Sequence, residues 1–270
     1  MMTKSLSLLA VWLIMATAAN ALEPIAPESR GLGGAVVLSA PLASTLAYVP
    51  AGAMSHQHWA FDASFDRRYE LKDLDQLALA AAYQLSPVMF SLAFTQFGEP
   101  TLYTEWSSRL GAAVRVDSIS VGLYLTDMII GQTTHWEKFR YTTLGAGLSF
   151  RSAYCLAALT GDNLTSPKPY ETAVAWRPYY TFYVEARRGS ASTYSLTGRV
   201  TMEDGQTPQY GIGQKVQVSP LGSLMMGVST APFEFGGGVV LHFSGFSLTW
   251  AANNHPDLGF SYTVALGYGE

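Results

Sequence analysis

The side chains in this chain that could most readily bind a metal ion or take part in catalysis are its five histidines: His56, His58, His135, His242 and His255. His56 and His58 would share one face of a strand, and such a pair could bind a metal ion. A stable site needs further ligands, and no third Cys, His or acidic residue stands at metal-site spacing. We therefore predict no metal site and no other cofactor.

His242 raises the alternative of nucleophilic catalysis. In an alternating strand it would share a side with Gly236 and Gly238, and Ser244 and Ser247 follow it. A hydrolase would need a serine, a histidine and an orienting polar group in register. No residue marks such a third group, so we predict a structural histidine and a protein that is not an enzyme.

Charged residues that alternate with large apolar ones are a second kind of signal. From Thr104 to Val116, Glu105, Arg109 and Arg115 share one face, while Trp106 and other large side chains share the opposite face. This arrangement indicates a strand between a polar lumen and an apolar exterior. The lumen-facing polar candidates along the chain are Glu105, Arg109, Arg115, Glu185, Arg187 and Lys215.

These candidates allow two interpretations. They could line a water-filled path, or they could pair with each other and plug a narrow barrel. Rings of a single sign are the usual mark of ion selectivity. Because the signs are mixed and small residues are abundant, we favour the plugged, paired version.

The same alternation recurs along most of the chain. In Phe260–Tyr268 the large residues occupy one face, and small or polar residues occupy the other. From Gln57 onward, runs of about 8 to 13 residues alternate in this way, which suits membrane-crossing strands of about 9 to 11 residues. We count close to sixteen runs, including short ones at Gly33–Leu38 and Glu171–Arg177. Since some will merge or fail, we expect about 14 strands, within a range of 12 to 16.

Composition indicates that the strands face lipid. The chain is 49% hydrophobic and only 13% charged, whereas about 25% charged residues is typical of soluble domains. No segment offers 18 consecutive apolar residues, so helical spans are excluded on length. The net charge is -4 without a basic tract, which argues against nucleic acid as a partner and leaves membrane lipid as the expected one.

The N-terminus predicts export. Lys4 precedes the apolar run Leu6–Met15, which is too short to span a bilayer, and Ala19–Ala21 provides a small-x-small cleavage site. We assign 1–21 to a cleaved signal peptide, 22–56 to an N-terminal segment and 57–270 to the barrel. The expected location is the outer membrane of a Gram-negative-type bacterium.

Short connectors set the topology. Ser86-Pro87, Val218–Gly222 and Phe243–Gly245 are tight turns between successive strands, which suit up-and-down hairpins. Longer polar segments near 132–138, 161–170 and 203–208 are candidate outer loops. Short turns require an antiparallel sheet, and closure removes edges that lipid cannot satisfy. We predict an all-β, transmembrane, antiparallel up-and-down β-barrel.

Both ends of the mature chain resemble a known family. Arg30–Ala35 (RGLGGA) and Ala43–Met54 (ASTLAYVPAGAM) resemble the opening of PorV/PorQ-type outer-membrane barrels and, more distantly, of FadL-type long-chain fatty-acid transporters. Tyr210–Gly213, Leu248–Ala251 and His255–Tyr262 resemble the closing hairpins. The positions that match the family motifs are Gly33, Gly34, Pro50, Ala51, Gly52, His255, Pro256, Leu258 and Gly259.

The chain also departs from this pattern. Val49 replaces the family's Asn before Pro-Ala-Gly, and the acidic residues expected around Ala40–Ser44 are absent. In FadL-type relatives the N-terminal segment tucks into the barrel as a plug. The resemblance implies the same for Leu22–Met54, while the alternative is that this segment is simply the first strand and loop.

The resemblance implies two roles. One is the transport of hydrophobic small molecules, and the other is service to a protein-secretion apparatus. The expected partners are accordingly a hydrophobic ligand or secretion-system components. A lipase-like outer-membrane hydrolase and a purely structural envelope barrel remain as alternatives.

Overall fold

A computed structural model describes residues 26–39, 42–49, 51, 58–99, 102–132, 138–168, 175–188 and 193–269. The predicted signal peptide, Pro50, Gly52, His56 and His135 lie outside the described residues.

The described residues form fourteen strands that close into one antiparallel barrel. Each strand pairs with the next in sequence, and β1 pairs with β14 through a register that joins Phe61 to Tyr268 and Ala63 to Leu266. The predicted fold class is therefore confirmed. The strands are Trp59–Arg67 (β1), Asp75–Leu85 (β2), Val88–Phe97 (β3), Tyr103–Val116 (β4), Ile119–Gln132 (β5), Lys138–Arg151 (β6), Cys155–Asp162 (β7), Tyr179–Arg188 (β8), Tyr194–Glu203 (β9), Gln209–Ser219 (β10), Gly222–Ser229 (β11), Glu234–Phe243 (β12), Phe246–His255 (β13) and Gly259–Gly269 (β14).

The period of two sorts the side chains between the outer surface and the lumen. On the outer surface Leu110 and Leu123 expose 59% and 64% of their area. Their neighbours Arg109 and Tyr124 point inward and are buried. Large apolar side chains turned outward are the arrangement that a surrounding hydrocarbon phase stabilises.

The two ends of the barrel differ in their connections. Short turns, such as Ser86-Pro87 and Ser244-Gly245, join β2 to β3 and β12 to β13 at the end where β1 begins and β14 ends. We call this the turn end. Longer connections, including 68–74 with its 3-10 turn Lys72–Leu74, lie at the opposite end, the loop end.

One predicted strand is not formed, and only the last three residues of another lie among the described residues. Gly33–Leu38 was expected to alternate as a strand, but it follows a 3-10 turn at Pro27–Ser29 and continues as turns and extended chain. The backbone N–H groups of Leu38 and Ser39 bond to a carboxylate instead of a neighbouring strand. In Glu171–Arg177, the described residues 175–177 are not a strand, because Trp176 donates its N–H to Pro167 within a loop.

The core of the molecule lies inside the barrel. The described residues 26–39, 42–49 and 51, which we call the luminal segment, carry the short helix Ala43–Tyr48 (α1) and lie against inward-facing residues of the wall. Leu46 and Ala47 of α1 are buried among small residues of β1 to β4, including Ala80 and Ala93. Small wall residues leave room for a segment of chain within the lumen. No helix in the described part of the chain is long and apolar enough to cross a membrane.

Candidate functional site

The candidate site is the lumen and the luminal segment that occupies it. Wall side chains hold this segment at several separate points along its length, through ion pairs, hydrogen bonds to a carboxylate and a cation–π contact. The predicted site residues fall at some of these points and miss others.

The first anchor is an ion pair near the loop end. Arg30 of the luminal segment donates two hydrogen bonds to Asp66 of β1, at 2.8 Å and 2.7 Å. Thr263 donates to the same carboxylate, and Arg68 lies 3.5 Å from it. Burial lowers the pKa of the Arg30 guanidinium, but the charge and hydrogen bonds of Asp66 more than offset this, so its pKa lies above the ordinary value. The pair is therefore bidentate, charged and largely shielded from water.

A second ion pair holds the start of the segment. Lys215 of β10 donates to Glu28 at 2.8 Å, and both side chains are nearly buried. Glu28 belongs to the 3-10 turn Pro27–Ser29, which packs near β13 and β14. Opposite charges thus connect the segment to the wall at two points.

Glu185 of β8 forms the third anchor. Its carboxylate accepts hydrogen bonds from the backbone N–H groups of Leu38 and Ser39, at 2.6 Å and 2.7 Å, and from the Ser39 hydroxyl at 2.5 Å. The side chain of Glu185 has no exposed area. Three donors around one buried carboxylate compensate for its lost hydration.

The helix is held at its start and beyond its end. The backbone N–H of Ser44 donates to Asp62 of β1 at 2.7 Å. A carboxylate at the beginning of a helix satisfies N–H groups that have no partner within the helix. Beyond the helix, Ser149 of β6 donates to the Ala51 carbonyl.

Arg109 of β4 lies beside the end of α1. Its guanidinium is 4.5 Å from the ring centre of Tyr48 and 4.3 Å from that of Tyr124, and it bonds Asp162 at 3.2 Å. Such cation–π contacts stabilise a buried guanidinium. Burial raises the pKa of Tyr48, so its hydroxyl stays neutral. The last residue of α1 is thereby fixed to three strands of the wall.

A group of wall glycines allows the segment to lie close to the wall. A Cβ atom at Gly213 of β10 would lie 2.6 Å from the Leu32 carbonyl oxygen, and one at Gly227 of β11 would overlap the backbone of the same residue. Gly33 has a φ of 65°, and a Cβ there would overlap Val228. Only glycine satisfies both the backbone angle and the space at Gly33.

Aromatic side chains fill the lumen near the loop end. Tyr141 and Trp176 have ring centres 5.0 Å apart. Met128 and Ile130 are buried beside them, and Tyr103 packs against this cluster while donating to the Glu105 carboxylate. The loop that carries Trp176 therefore covers part of the lumen.

The six lumen-facing polar candidates differ in what they contact. Glu105, Arg109, Glu185 and Lys215 point inward and have the partners described above. Arg187 lies nearer the turn end and donates to the carbonyl groups of Ser152 and Ala153. Arg115 is half-buried on the inward face of β4. The hydrogen bonds described for these residues join them to the luminal segment or to other wall residues rather than to each other.

The family-motif positions form two groups. Gly33, Gly34 and Ala51 belong to the luminal segment, where Gly34 lies against Arg199. At the other end of the chain, His255 Nδ1 accepts the backbone N–H groups of Asp257 and Leu258 at 3.1 Å and 3.2 Å. These bonds close the β13–β14 turn, which contains Pro256 and ends at Gly259, whose φ is 91°.

Sequence reasoning missed four of the anchoring residues: Glu28, Arg30, Asp62 and Asp66. The two aspartates could have been found, because they alternate with Phe61 and Phe65 as Glu105 alternates with Trp106. Glu28 and Arg30 precede the alternating strands, so no period marks them.

The hydrolase alternative gains no third residue from the structure. His242 and Ser247 lie directly opposite each other on β12 and β13. No hydrogen bond between these two described side chains is present, and no carboxylate bonds to either. Among the described residues there is also no group of three or more His, Cys, Asp or Glu that could hold a metal ion.

The fold is that of a closed, antiparallel barrel of fourteen strands. No family model and no curated protein sequence matches the chain. Solved structures do match it.

The toluene transporter TodX of Pseudomonas putida is similar with a TM-score of 0.66, 8% identity, and coverage of 92% of this chain and 98% of that chain. The monoaromatic hydrocarbon channel CymD is similar with a TM-score of 0.62, 10% identity, and coverage of 90% and 96%. The outer membrane protein Omp33 of Acinetobacter baumannii has a TM-score of 0.51, 8% identity, and coverage of 79% and 98%. At these identities the likeness is one of fold.

Proposed function

We propose that the protein is an outer-membrane channel for small hydrophobic molecules, which its luminal segment closes in this state. The observation that carries this proposal is the occupied lumen. A segment of the chain lies inside a barrel with an apolar outer surface, and the charged side chains Asp66, Glu185 and Lys215 hold it there. Water can solvate these charged anchors when they separate, which lowers the cost of releasing the segment.

The likeness of fold supports the proposed class of substrate. TodX is described as a toluene transporter and CymD as a monoaromatic hydrocarbon channel. The match to this chain covers more than nine tenths of each of those two chains. This likeness supports a small apolar substrate, and the resemblance to FadL-type proteins supports the same class.

The proposed location and orientation have separate support. The signal peptide predicted for 1–21 would export the chain and be cleaved, and outward-facing leucines suit a lipid surround. Barrels of this type place short turns in the periplasm and longer loops outside the cell. The turn end would therefore face the periplasm. The role is not enzymatic and needs no cofactor.

Uptake of radiolabelled toluene by cells tests this proposal. We expect uptake to rise when the protein is expressed in a Gram-negative host. Glu185→Gln should raise it further, because the amide replaces one acceptor oxygen with a donor that faces backbone N–H groups. A hydrogen bond to a charged group contributes about 1.5–3 kcal/mol, so the population with a released segment should grow by about tenfold or more.

Arg187→Gln is the control, since Arg187 points inward on the same strand without contacting the luminal segment among the bonds described. Equal uptake with and without the protein would contradict the channel proposal. If the protein instead co-purified with secreted cargo or translocon components, the secretion role that the PorV/PorQ resemblance implies would replace it. A change in envelope integrity alone would support a structural barrel.

A further inference from the structure

A cavity of about 450 Å³ lies at the turn end of the barrel, where inward-facing residues meet the aromatic rim formed by Phe61, Phe243 and Phe246. Its roof is the beginning of the α1 region, and its walls come from β1, β12, β13 and the neighbouring short turns. It adjoins the Asp62 anchor, because Ala43 in its lining directly precedes Ser44. The residues that matter for its chemistry are Leu42, Ala43, Leu221, His242, Ser244 and Ser247.

The lining combines an apolar surface with a small polar group. Leu42, Ala43 and Leu221 contribute apolar atoms, whereas His242 and Ser247 point inward from paired positions on β12 and β13. Both polar side chains are half-buried. Sites for small molecules combine apolar walls with convergent polar groups, and this volume lies within their usual range of about 300–1,000 Å³.

The charge of the lining restricts the ligand further. The described lining contains no Asp, Glu, Lys or Arg. The charges of Lys215 and Glu28 compensate each other in an ion pair at 2.8 Å. A charged ligand would therefore lose hydration without gaining a counter-charge. A neutral molecule with one hydrogen-bonding group would satisfy both the apolar surface and the His242–Ser247 pair.

We propose that this cavity binds a small, neutral, mostly apolar molecule that carries one hydroxyl group, of which a phenol is the simplest example, as the molecule leaves the lumen. This inference rests on the proposed channel function and adds a binding site at its periplasmic end. The luminal segment forms the roof through Leu42 and Ala43, so release of the segment would connect the cavity to the rest of the lumen.

Binding of p-cresol and toluene to the purified full chain in nanodiscs tests the site, with ligand-observed NMR titration as the measurement. The two probes differ only in the hydroxyl group. Ser247→Ala and His242→Phe should each weaken p-cresol binding by about threefold to tenfold, the effect of one lost hydrogen bond, and leave toluene binding unchanged. Ser247→Trp should fill the cavity and abolish the specific binding of both probes.

Ser195→Ala is the matched control, because Ser195 is an inward-facing buried serine on β9 outside the cavity. All variants are compared in the same lipid, so partitioning into the bilayer cancels. Heat-dependent gel mobility checks that each variant is folded, and Ser247→Leu replaces Ser247→Trp if the larger residue prevents folding. Absence of specific p-cresol binding to the natural chain, or binding unchanged by filling the cavity, would overturn the proposal.

Failure of the site and failure of the channel are distinguishable. If Ser247→Trp binds neither probe but cells take up no toluene even with the natural chain, the site stands and the channel function fails. If cells take up toluene and p-cresol equally well through the natural chain and Ser247→Trp, the channel stands and the cavity is not its exit site.

Discussion

At the residue scale, the protein stabilises several buried charges inside a closed wall by pairing them with donors or acceptors of the luminal segment. Arg30 and Asp66 show the principle most clearly, since their fork-like contact uses two hydrogen bonds and the carboxylate is only 2% exposed. A charge buried without such a partner is strongly unfavourable. The pairs therefore set the position of the segment along the lumen.

This pairing predicts a large effect when one partner is removed. Arg30→Ala should lower the free energy of unfolding by about 3–5 kcal/mol, because it leaves the Asp66 carboxylate buried with only the neutral Thr263 hydroxyl and the more distant Arg68 beside it. Adding Asp66→Asn to this variant should recover part of the lost free energy of unfolding, because the buried charge is removed. A denaturant titration, with gel mobility as the readout of the folded fraction, measures both effects.

Arg67→Ala provides the control, because Arg67 forms the same two-bond contact with Asp75 but is 31% exposed on the outer surface. There we expect a much smaller change in the free energy of unfolding, because water screens an exposed ion pair. Equal losses for Arg30→Ala and Arg67→Ala would show that burial does not decide the strength of the first pair.

At the element scale, β10 and β11 have a role beyond forming wall. Their inward glycines replace side chains with space, and the backbone of the luminal segment occupies that space around Leu32 and Gly33. A strand with inward glycines is weaker in itself, since glycine loses more conformational freedom on folding. The close packing of the luminal segment compensates for this loss.

Gly227→Ala should therefore displace the luminal segment while the barrel remains closed. The added methyl group would overlap the backbone of Leu32 and Gly33, and overpacking of this kind costs about 1–3 kcal/mol. Limited proteolysis of the folded barrel should cut residues 26–51 faster in the variant. Gly222→Ala on the same strand is the control, because its Cβ would meet its nearest neighbour at an ordinary 3.5 Å. Identical cleavage rates would contradict a close fit at Gly227.

At the scale of the whole molecule, the apolar outer surface defines the environment in which the barrel is stable. Leu110 lies near the middle of the outer face of β4, and Val116 lies at its turn end. In a bilayer the cost of a charged residue depends on depth. If the outer surface faced water, the cost of a charged residue would not depend on its position along the strand in this way.

Leu110→Arg should destabilise the barrel in lipid by about 2–4 kcal/mol, and Val116→Arg by about 0–1 kcal/mol. Refolding titrations in phospholipid vesicles measure both changes. The two positions are similarly exposed, at 59% and 66%, so the difference reports depth rather than lost packing. If both substitutions had equally small effects, the outer surface would not be facing hydrocarbon.

The order of residues was enough to assign the faces of most strands, and together with the short connectors it was enough to predict a barrel. Alternation is a local property, because each side chain points opposite to its neighbours in sequence. Thus Glu105 and Arg109 could be placed in the lumen, and Leu110 outside, from β4 alone. The same logic would have identified Asp62 and Asp66.

The hydrogen-bond partners of these inward side chains depend on the three-dimensional arrangement of the wall and the luminal segment. Glu185 bonds Leu38 across 147 residues of sequence, and Asp66 bonds Arg30 across 36. These partners depend on the register in which β1 closes against β14 and on the path of a segment that has no period of its own. Strand alternation assigns each side chain to a face, whereas closure of the barrel determines its neighbours across the lumen.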